Sequence, residues 1–302
     1  MAKPNLLLCF DAFGTLFSPK GAVAQQYADV ARQCGIVGFS DKELQSRLLA
    51  AIRDEREQSP NYGKATGLGA TEWWTNVIRK TFTPFLRNNQ TLPPTLVPKL
   101  MHRFSSSEGY EAQRDLVPAI RVLREMKSRQ GLDRIVIGVV TNSDDRVPSI
   151  LSSFGLNVSP LRYGSSAVEA SALSEKRYDI DFHCMSYDVG VEKPDRRIFH
   201  AAELMLSHVI TARHGETPVE PGLESWQKVY VGDEFAKDVV GATGAGWNPV
   251  LLDVEGESTE IASLEDCPPQ TLQDLFEQHA VVRVRSIRGL VTWLTGSEWE
   301  TR

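Results

Sequence analysis

Short, uninterrupted runs of apolar residues recur along this 302-residue chain and limit its fold more than any other feature. Such runs are too short for buried helices and are typical of strands that are covered on both faces of a parallel sheet. Helix-like spacing fills segments between them, as at 119–130, 194–205 and 238–245. Strands that alternate with helices predict a three-layer, Rossmann-like α/β core built on a parallel sheet. The predicted strands are Leu6–Phe10, Ile135–Val140, Phe182–Met185, Val229–Val231 and Pro249–Leu252.

The stretch from residue 18 to residue 112 has a different pattern, because it contains no strand-like run. Its apolar residues recur every three or four positions, which predicts four amphipathic helices. A helical block inserted after the first strand of an α/β sheet is typical of a cap domain. We therefore predict a core formed by residues 1–17 and 113–302, and a helical cap of the C1 type formed by residues 18–112.

Composition narrows the classes of function. The chain is 41% hydrophobic and 24% charged, the mixture of a globular protein, and its net charge is −6. No basic stripe is present, so we expect no nucleic-acid partner. The apolar run at the amino terminus is too short to span a membrane or to act as a signal sequence, so we expect no membrane partner. The four cysteines are far apart and form no metal-ligand pair. These features together predict an intracellular protein, in the cytoplasm or the nucleus.

Polar side chains follow the predicted strands where a parallel sheet binds its ligands, at the carboxyl ends. Asp11 comes directly after the first strand, and Thr141 and Asn142 end the second. Lys193 precedes Pro194 at the start of a predicted helix. Asp233 and Asp238 follow the strand Val229–Val231.

These residue types suit one kind of chemistry. A strand-end Asp can attack an electrophile and form a covalent ester, and a Lys can neutralise the charge on that nucleophile and its adduct. A hydroxyl followed by free backbone N–H groups can hold an anionic oxygen. Clustered carboxylates suit Mg²⁺, which prefers oxygen ligands.

The order and placement of these residues resemble the haloacid dehalogenase superfamily, and the resemblance covers nearly the whole chain. It implies that Asp11 is the nucleophile, that Thr141 binds the transferring group and that Lys193 stabilises charge. It implies that Asp11, Asp233 and Asp238 form the metal site. The cap would then exclude water and select the substrate.

Two short sequences in the predicted cap, Pro60–Gly63 and Glu72–Trp74, resemble one group within the superfamily. Tyr62 lies in a predicted loop, and in capped enzymes such loops reach the active site. With Thr15 and Asn142, Tyr62 is a candidate for binding the substrate.

Phe13 departs from the pattern of the phosphatases in this superfamily. They usually carry a second Asp at this position, which protonates the leaving oxygen and then activates water, a task worth about 10²–10⁴-fold in rate. The Phe13 side chain can do neither, although its backbone carbonyl can still contribute to a metal site. The haloacid dehalogenases themselves have an aromatic residue here, because halide leaves without a proton, but they lack the metal-binding Asp that Asp233 supplies.

Three functions therefore stay open at this point. The first is a Mg²⁺-dependent phosphatase that works through an aspartyl intermediate, and the second is a metal-free 2-haloacid dehalogenase. The third is a catalytically weak protein that binds a phosphorylated ligand or a partner. We favour the phosphatase because of Asp233. The expected partner is a small phosphorylated or halogenated substrate, and the sequence does not fix the oligomeric state.

Overall fold

A computed structural model describes residues 5–87, 90–125, 134–166, 169, 176–214 and 226–296. Within these residues the chain forms two compact units. The first is an α/β unit that takes in residues 1–18, 112–143 and 154–302. The second is a helical unit that takes in residues 19–111 and 144–153. The segment 144–153, which the sequence pattern had left with the core, belongs to the helical unit in this division.

The α/β unit is built on a seven-stranded sheet. Its strands are β1 (Asn5–Phe10), β4 (Ile135–Thr141), β5 (Phe182–Met185), β6 (Trp226–Gly232), β7 (Asn248–Leu252), β8 (Ala262–Ser263) and β9 (Val282–Val284). They lie in the order β5-β4-β1-β6-β7-β9-β8, and neighbouring strands run parallel. The predicted parallel α/β fold is therefore confirmed. Two further strands, β2 (Phe17–Pro19) and β3 (Tyr110–Ala112), pair where the chain leaves and re-enters this unit.

Alternate side chains of β1 face opposite layers of the unit. Leu7 and Cys9 are fully buried in a cluster with the helix Arg197–His214. Leu6 and Leu8 lie on the other face, near the helices Leu272–Gln278 and Ile287–Thr295. A strand covered on both faces needs apolar residues at every position, which explains the uninterrupted run in the sequence. Other helices that the structure describes in this unit are Leu116–Glu125, Ser186–Val189 and Val240–Gly244, the last preceded by a π-helical turn at Phe235–Val239.

The helical unit contains four main helices that pack on one another: Val23–Gln33, Asp41–Gln58, Gly69–Phe82 and Leu96–Arg103. The short helix Val147–Ser153 also belongs to this unit. Its core includes the rings of Tyr27, Phe82 and Phe104, with 5.0 Å between the centroids of Tyr27 and Phe104. Ser40 caps the second helix by accepting a hydrogen bond from the backbone N–H of Glu43. None of the helices in the described ranges has the length and hydropathy needed to cross a membrane.

Candidate active site

Asp11 and Asp233 are brought together by the register of the sheet. Phe10 on β1 pairs with Val231 on β6, and the backbone N–H of Asp11 donates to the carbonyl of Val231 at 2.9 Å. Asp11 is thus level with Gly232, one residue before Asp233. Since parallel strands end at the same edge of the sheet, both carboxylates lie at that edge. Asp11 is nevertheless largely buried, with 7% of its surface exposed.

Lys193 supplies the cation next to Asp11. Its Nζ lies 2.8 Å from Oδ1 of Asp11 and 2.7 Å from Oδ1 of Asp238. Burial alone would lower the pKa of Lys193, but the two carboxylates outweigh burial and raise the pKa above its usual value. Lys193 is therefore held as an ammonium ion beside the candidate nucleophile.

Tyr230 is a functional candidate that the sequence analysis missed. Its hydroxyl accepts a hydrogen bond from Nζ of Lys193 at 2.7 Å and donates one to the carbonyl of Val140 at 2.7 Å. Tyr230 is fully buried, so it fixes the ammonium group from within the core. One signal was available, because a Tyr in the middle of a strand buried on both faces needs a partner for its hydroxyl.

The backbone of Lys193 is fixed by Asn142. The Asn142 side chain accepts from the N–H of Lys193 at 2.7 Å and donates to the Lys193 carbonyl at 3.1 Å. Asn142 thus joins the end of β4 to the residue before Pro194. Its contact with substrate stays a prediction, as does that of Thr141, which is buried at the end of β4.

Thr15 contacts Asp233 in this structure. Its Oγ1 donates to Oδ1 of Asp233 at 2.9 Å. Gly14 makes this approach possible, since a Cβ at position 14 would lie 2.1 Å from Oδ2 of Asp233. Burial, followed by the charges of Asp11 and Asp238, raises the pKa of Asp233 despite the hydrogen bond from Thr15. Thr15 therefore orients a carboxylate in the cluster, and its role in binding substrate stays a prediction.

Asp238 uses both of its oxygens. Oδ1 faces Lys193, and Oδ2 accepts a hydrogen bond from the backbone N–H of Glu234 at 2.9 Å. Gly232 leaves space for it, because a Cβ there would lie 2.2 Å from Cγ of Asp238. Burial raises the pKa of Asp238, and the attraction of Lys193 opposes that rise. These contacts suit a carboxylate that holds Lys193 in place as well as one that faces a metal.

The three carboxylates of Asp11, Asp233 and Asp238 form one cluster, with one oxygen from each lying within 4.8 Å of the others. Among the described residues, Lys193 is the cation that forms ion pairs with this cluster. Three ionised carboxylates and one ammonium group carry a formal charge of −2. A hard divalent cation with oxygen ligands therefore fits this donor set. The Phe13 carbonyl stays a predicted ligand, and the Phe13 ring packs edge-on against Phe17 with centroids 4.8 Å apart.

Tyr62 lies in the helical unit, in a short left-handed turn. Asn61, Tyr62 and Gly63 have φ values of 48°, 58° and 66°. Left-handed backbone is costly for residues other than glycine and is concentrated at functional segments of proteins. The Tyr62 ring packs against Trp73 with centroids 5.2 Å apart. Its role in binding substrate stays a prediction.

A second polar cluster lies within the helical unit. Trp74 donates from Nε1 to Oδ2 of Asp144 at 2.7 Å, and the Arg146 guanidinium lies 4.4 Å above the Trp74 ring. Arg146 also binds Asp144 at 2.8 Å. Burial would raise the pKa of Asp144, but Arg146 and Trp74 hold it below its usual value. The segment that follows Ser143 is thereby fixed to the helical unit.

Comparison with known proteins gives a consistent result. The model of a hydrolase family described as haloacid dehalogenase-like hydrolase matches residues 6–246. The haloacid dehalogenase-like hydrolase domain-containing protein 3 of Danio rerio is 26% identical over 279 residues, which are 92% of this chain and 96% of that protein. The group that Pro60–Gly63 and Glu72–Trp74 resemble is the group of this relative.

Two solved structures share the fold. A phosphatase of this type from Thermococcus onnurineus has a TM-score of 0.50 and 21% identity, and the match covers 97% of this chain and 99% of that one. A 2-haloacid dehalogenase from Pseudomonas syringae has a TM-score of 0.53 and 16% identity, with coverage of 96% and 98%. At these identities the likeness concerns the fold alone, and the two neighbours differ in the reaction that their names give.

Proposed function

Because this chain belongs to the haloacid dehalogenase-like hydrolase family, we propose that it is a Mg²⁺-dependent phosphatase that acts on a small phosphate ester through Asp11. The resemblance inferred from the sequence is confirmed by the family match and by relatives that are similar over most of the chain.

The charge of the carboxylate cluster is the observation that carries this proposal. Asp11, Asp233 and Asp238 lie together with one ammonium group, and their formal charge of −2 would repel an anionic substrate. A divalent cation cancels that charge and gives a phosphate group a place to bind. When bound, Mg²⁺ supplies Lewis-acid polarisation of a phosphoryl oxygen.

The chain's own residues account for the covalent steps. Asp11 attacks phosphorus through a carboxylate oxygen, the bond from phosphorus to the ester oxygen breaks, and an aspartyl phosphate and an alkoxide or phenoxide form. Lys193 faces the attacking carboxylate and stabilises the anionic charge that spreads over it and the phosphoryl oxygens. Water then attacks the aspartyl phosphate, which releases inorganic phosphate and restores Asp11.

Phe13 sets the expected range of substrates. No carboxylic acid occupies position 13, so the leaving oxygen departs without the usual proton donor. Esters whose leaving group is stable as an anion depend least on such a donor. Acyl and aryl phosphates should therefore be hydrolysed much faster than alkyl phosphates.

The 2-haloacid dehalogenase is the second candidate, and Phe13 is the observation that favours it. In this reaction Asp11 displaces halide from carbon, and halide needs no proton to leave. The aromatic residue in the sequence Asp11–Phe17 is similar to that of the dehalogenases. Against it stands Asp233, which has no role in a metal-free displacement, and the negative charge of the cluster, which would repel a carboxylate substrate.

One set of assays separates these reactions. We expect wild-type protein with Mg²⁺ to hydrolyse an aryl phosphate, EDTA to stop this hydrolysis, and Asp11→Asn to abolish it while the circular dichroism spectrum is retained. Phe13→Asp should raise the turnover of alkyl phosphates by up to about 10²-fold. Chloride release from a 2-chloroacid in the presence of EDTA would instead establish the dehalogenase. Tight binding of a phosphorylated ligand without either activity would establish a binding protein.

A further inference from the structure

A cavity of about 660 Å³ opens in the α/β unit far from the carboxylate cluster. It lies at the amino-terminal edge of the sheet, where Ile135 begins β4 and Trp226 begins β6. The seven residues of β4 run from Ile135 to Thr141, which corresponds to a distance of about 20 Å along the strand. The cavity is therefore distinct from the candidate active site.

Cationic side chains dominate the lining of this cavity. Glu125 and Asp179 are the acidic residues among the described residues that line it. Counted over the described lining residues alone, the formal charge is +4, whereas the whole chain carries −6. The cationic residues are Arg121, Arg124, Arg134, Lys176, Arg177 and Arg213. Such a local reversal of sign concentrates anions at the cavity.

A buried carboxylate fixes two of these arginines. Asp181 is 2% exposed and accepts hydrogen bonds from both Arg124 and Arg213, as well as from the backbone N–H of Ile137 at 2.8 Å. Arg124 also donates to the carbonyl of Asp179 at 2.9 Å and 3.0 Å. One carboxylate thus holds two guanidinium groups in place and neutralises half of their charge. Burial, together with the charge of Arg213, lowers the pKa of Arg124, which is consistent with this excess of positive charge.

The cavity is lined by apolar and aromatic side chains as well as by charged ones. Trp226 and Ile210 are buried, and Tyr178 is partly exposed. Lys176 and Arg177 are exposed at the rim, and in the part of the chain that the structure describes neither forms an ion pair. A volume of this order is typical of sites for small molecules.

We propose that this cavity is a second ligand site that binds a small phosphorylated molecule, with Lys176 and Arg177 contacting the phosphate and Arg124 and Arg213 supplying the field beneath it. The proposal rests on the charge, the buried Asp181 anchor and the volume of the cavity, and it does not depend on the reaction at Asp11.

Calorimetric titration tests the proposal with AMP and pyrophosphate as probes and adenosine as the uncharged control. The titration is done in EDTA, since the metal-free carboxylate cluster repels anions. We expect AMP, pyrophosphate or both to bind at one site per chain and adenosine not to bind. Arg177→Glu should weaken this binding about tenfold or more, because it reverses one charge at the rim. Arg56→Glu is the matched control, since it changes the net charge equally on an exposed residue of the helical unit.

Two further variants separate the cavity from the active site. Arg213→Gln should also weaken binding, whereas Lys193→Met should leave it unchanged. Arg177→Glu should keep the hydrolytic activity of the wild type. The proposal is overturned if neither AMP nor pyrophosphate binds at millimolar concentration, if Arg177→Glu binds as the wild type does, or if Lys193→Met loses binding while its circular dichroism spectrum matches that of the wild type.

Discussion

At the scale of single residues, the site depends on buried charges that cancel one another only in part. Lys193 is 4% exposed and Asp238 is 1% exposed, and each is stabilised by the other. Removing one member of such a pair leaves the partner charged and desolvated, which costs more than the pair contributes. The sequence predicted these residues from their places after strands, but the link from Tyr230 to Lys193 joins residues 37 apart in the chain and could not be read from local pattern.

The first prediction concerns Lys193. Lys193→Met should lower the free energy of unfolding by about 3 kcal/mol, because Asp11 and Asp238 lose their cation in a buried place. Urea denaturation in EDTA measures this loss. Lys237→Met is the control, since Lys237 pairs with Glu234 at the surface, and it should cost about 0.5 kcal/mol or less. The double variant Lys193→Met/Asp238→Asn should recover part of the stability, and no recovery would contradict the charge account.

The second prediction concerns His183, a buried side chain on β5. Burial, with a smaller contribution from Arg162, lowers the pKa of His183 from 6.5 to about 4. Between pH 6.5 and about pH 4, His183 is protonated in the unfolded chain but neutral in the folded chain. The free energy of unfolding therefore falls as the pH falls through this range. The loss from this residue should amount to about 3 kcal/mol between pH 7 and pH 4.

His183→Leu should flatten this pH dependence, as measured by urea denaturation between pH 4 and pH 7. His102→Gln is the control variant, because His102 is exposed in the helical unit. If the stability of His183→Leu depends on pH as that of the wild type does, other groups cause the loss of stability at low pH.

At the scale of strands and loops, the apolar runs predicted five strands of the sheet, because a strand buried on both faces needs a nearly continuous run of apolar residues. The strands β2, β3, β8 and β9 have three residues or fewer and were missed. Strands this short are stabilised by pairing with neighbouring strands, so their own amino-acid composition does not predict them. The same holds for the loop after β1, where Gly14 is needed because of Asp233, which lies more than two hundred residues later in the chain.

The third prediction concerns this loop. Gly14 has a φ of 80°, and a Cβ there would also meet the Asp233 carboxylate, so Gly14→Ala should displace Asp233 and reduce hydrolysis by about 10²-fold or more. Gly155 has a φ of 97° with no atom within 4 Å of a built Cβ. Gly155→Ala therefore carries the backbone strain without the collision, and it should cost about 1 kcal/mol of stability while activity is retained. Equal activity of the two variants would contradict the role given to Gly14.

At the scale of the whole molecule, the lack of strand-like runs between residues 18 and 112 indicated a helical insertion, and the bounds of core and cap drawn from the sequence stay predictions. The segment 144–153 could not be assigned from sequence, since its place in the helical unit depends on the contacts of Asp144 and Arg146 with Trp74. The sequence also did not predict how charge is distributed over the α/β unit. A net charge of −6 gives no sign of an anionic cluster at one edge of the sheet and a cationic cavity at the other.

Calorimetric titration of metal-free protein with Mg²⁺ tests whether the carboxylate cluster holds a divalent cation. We expect one Mg²⁺ per chain for the wild type, binding at least tenfold weaker for Asp233→Asn, and unchanged binding for Asp266→Asn, which alters an exposed carboxylate elsewhere in the α/β unit. Absence of binding by the wild type, or equal binding by the wild type and Asp233→Asn, would contradict the claim.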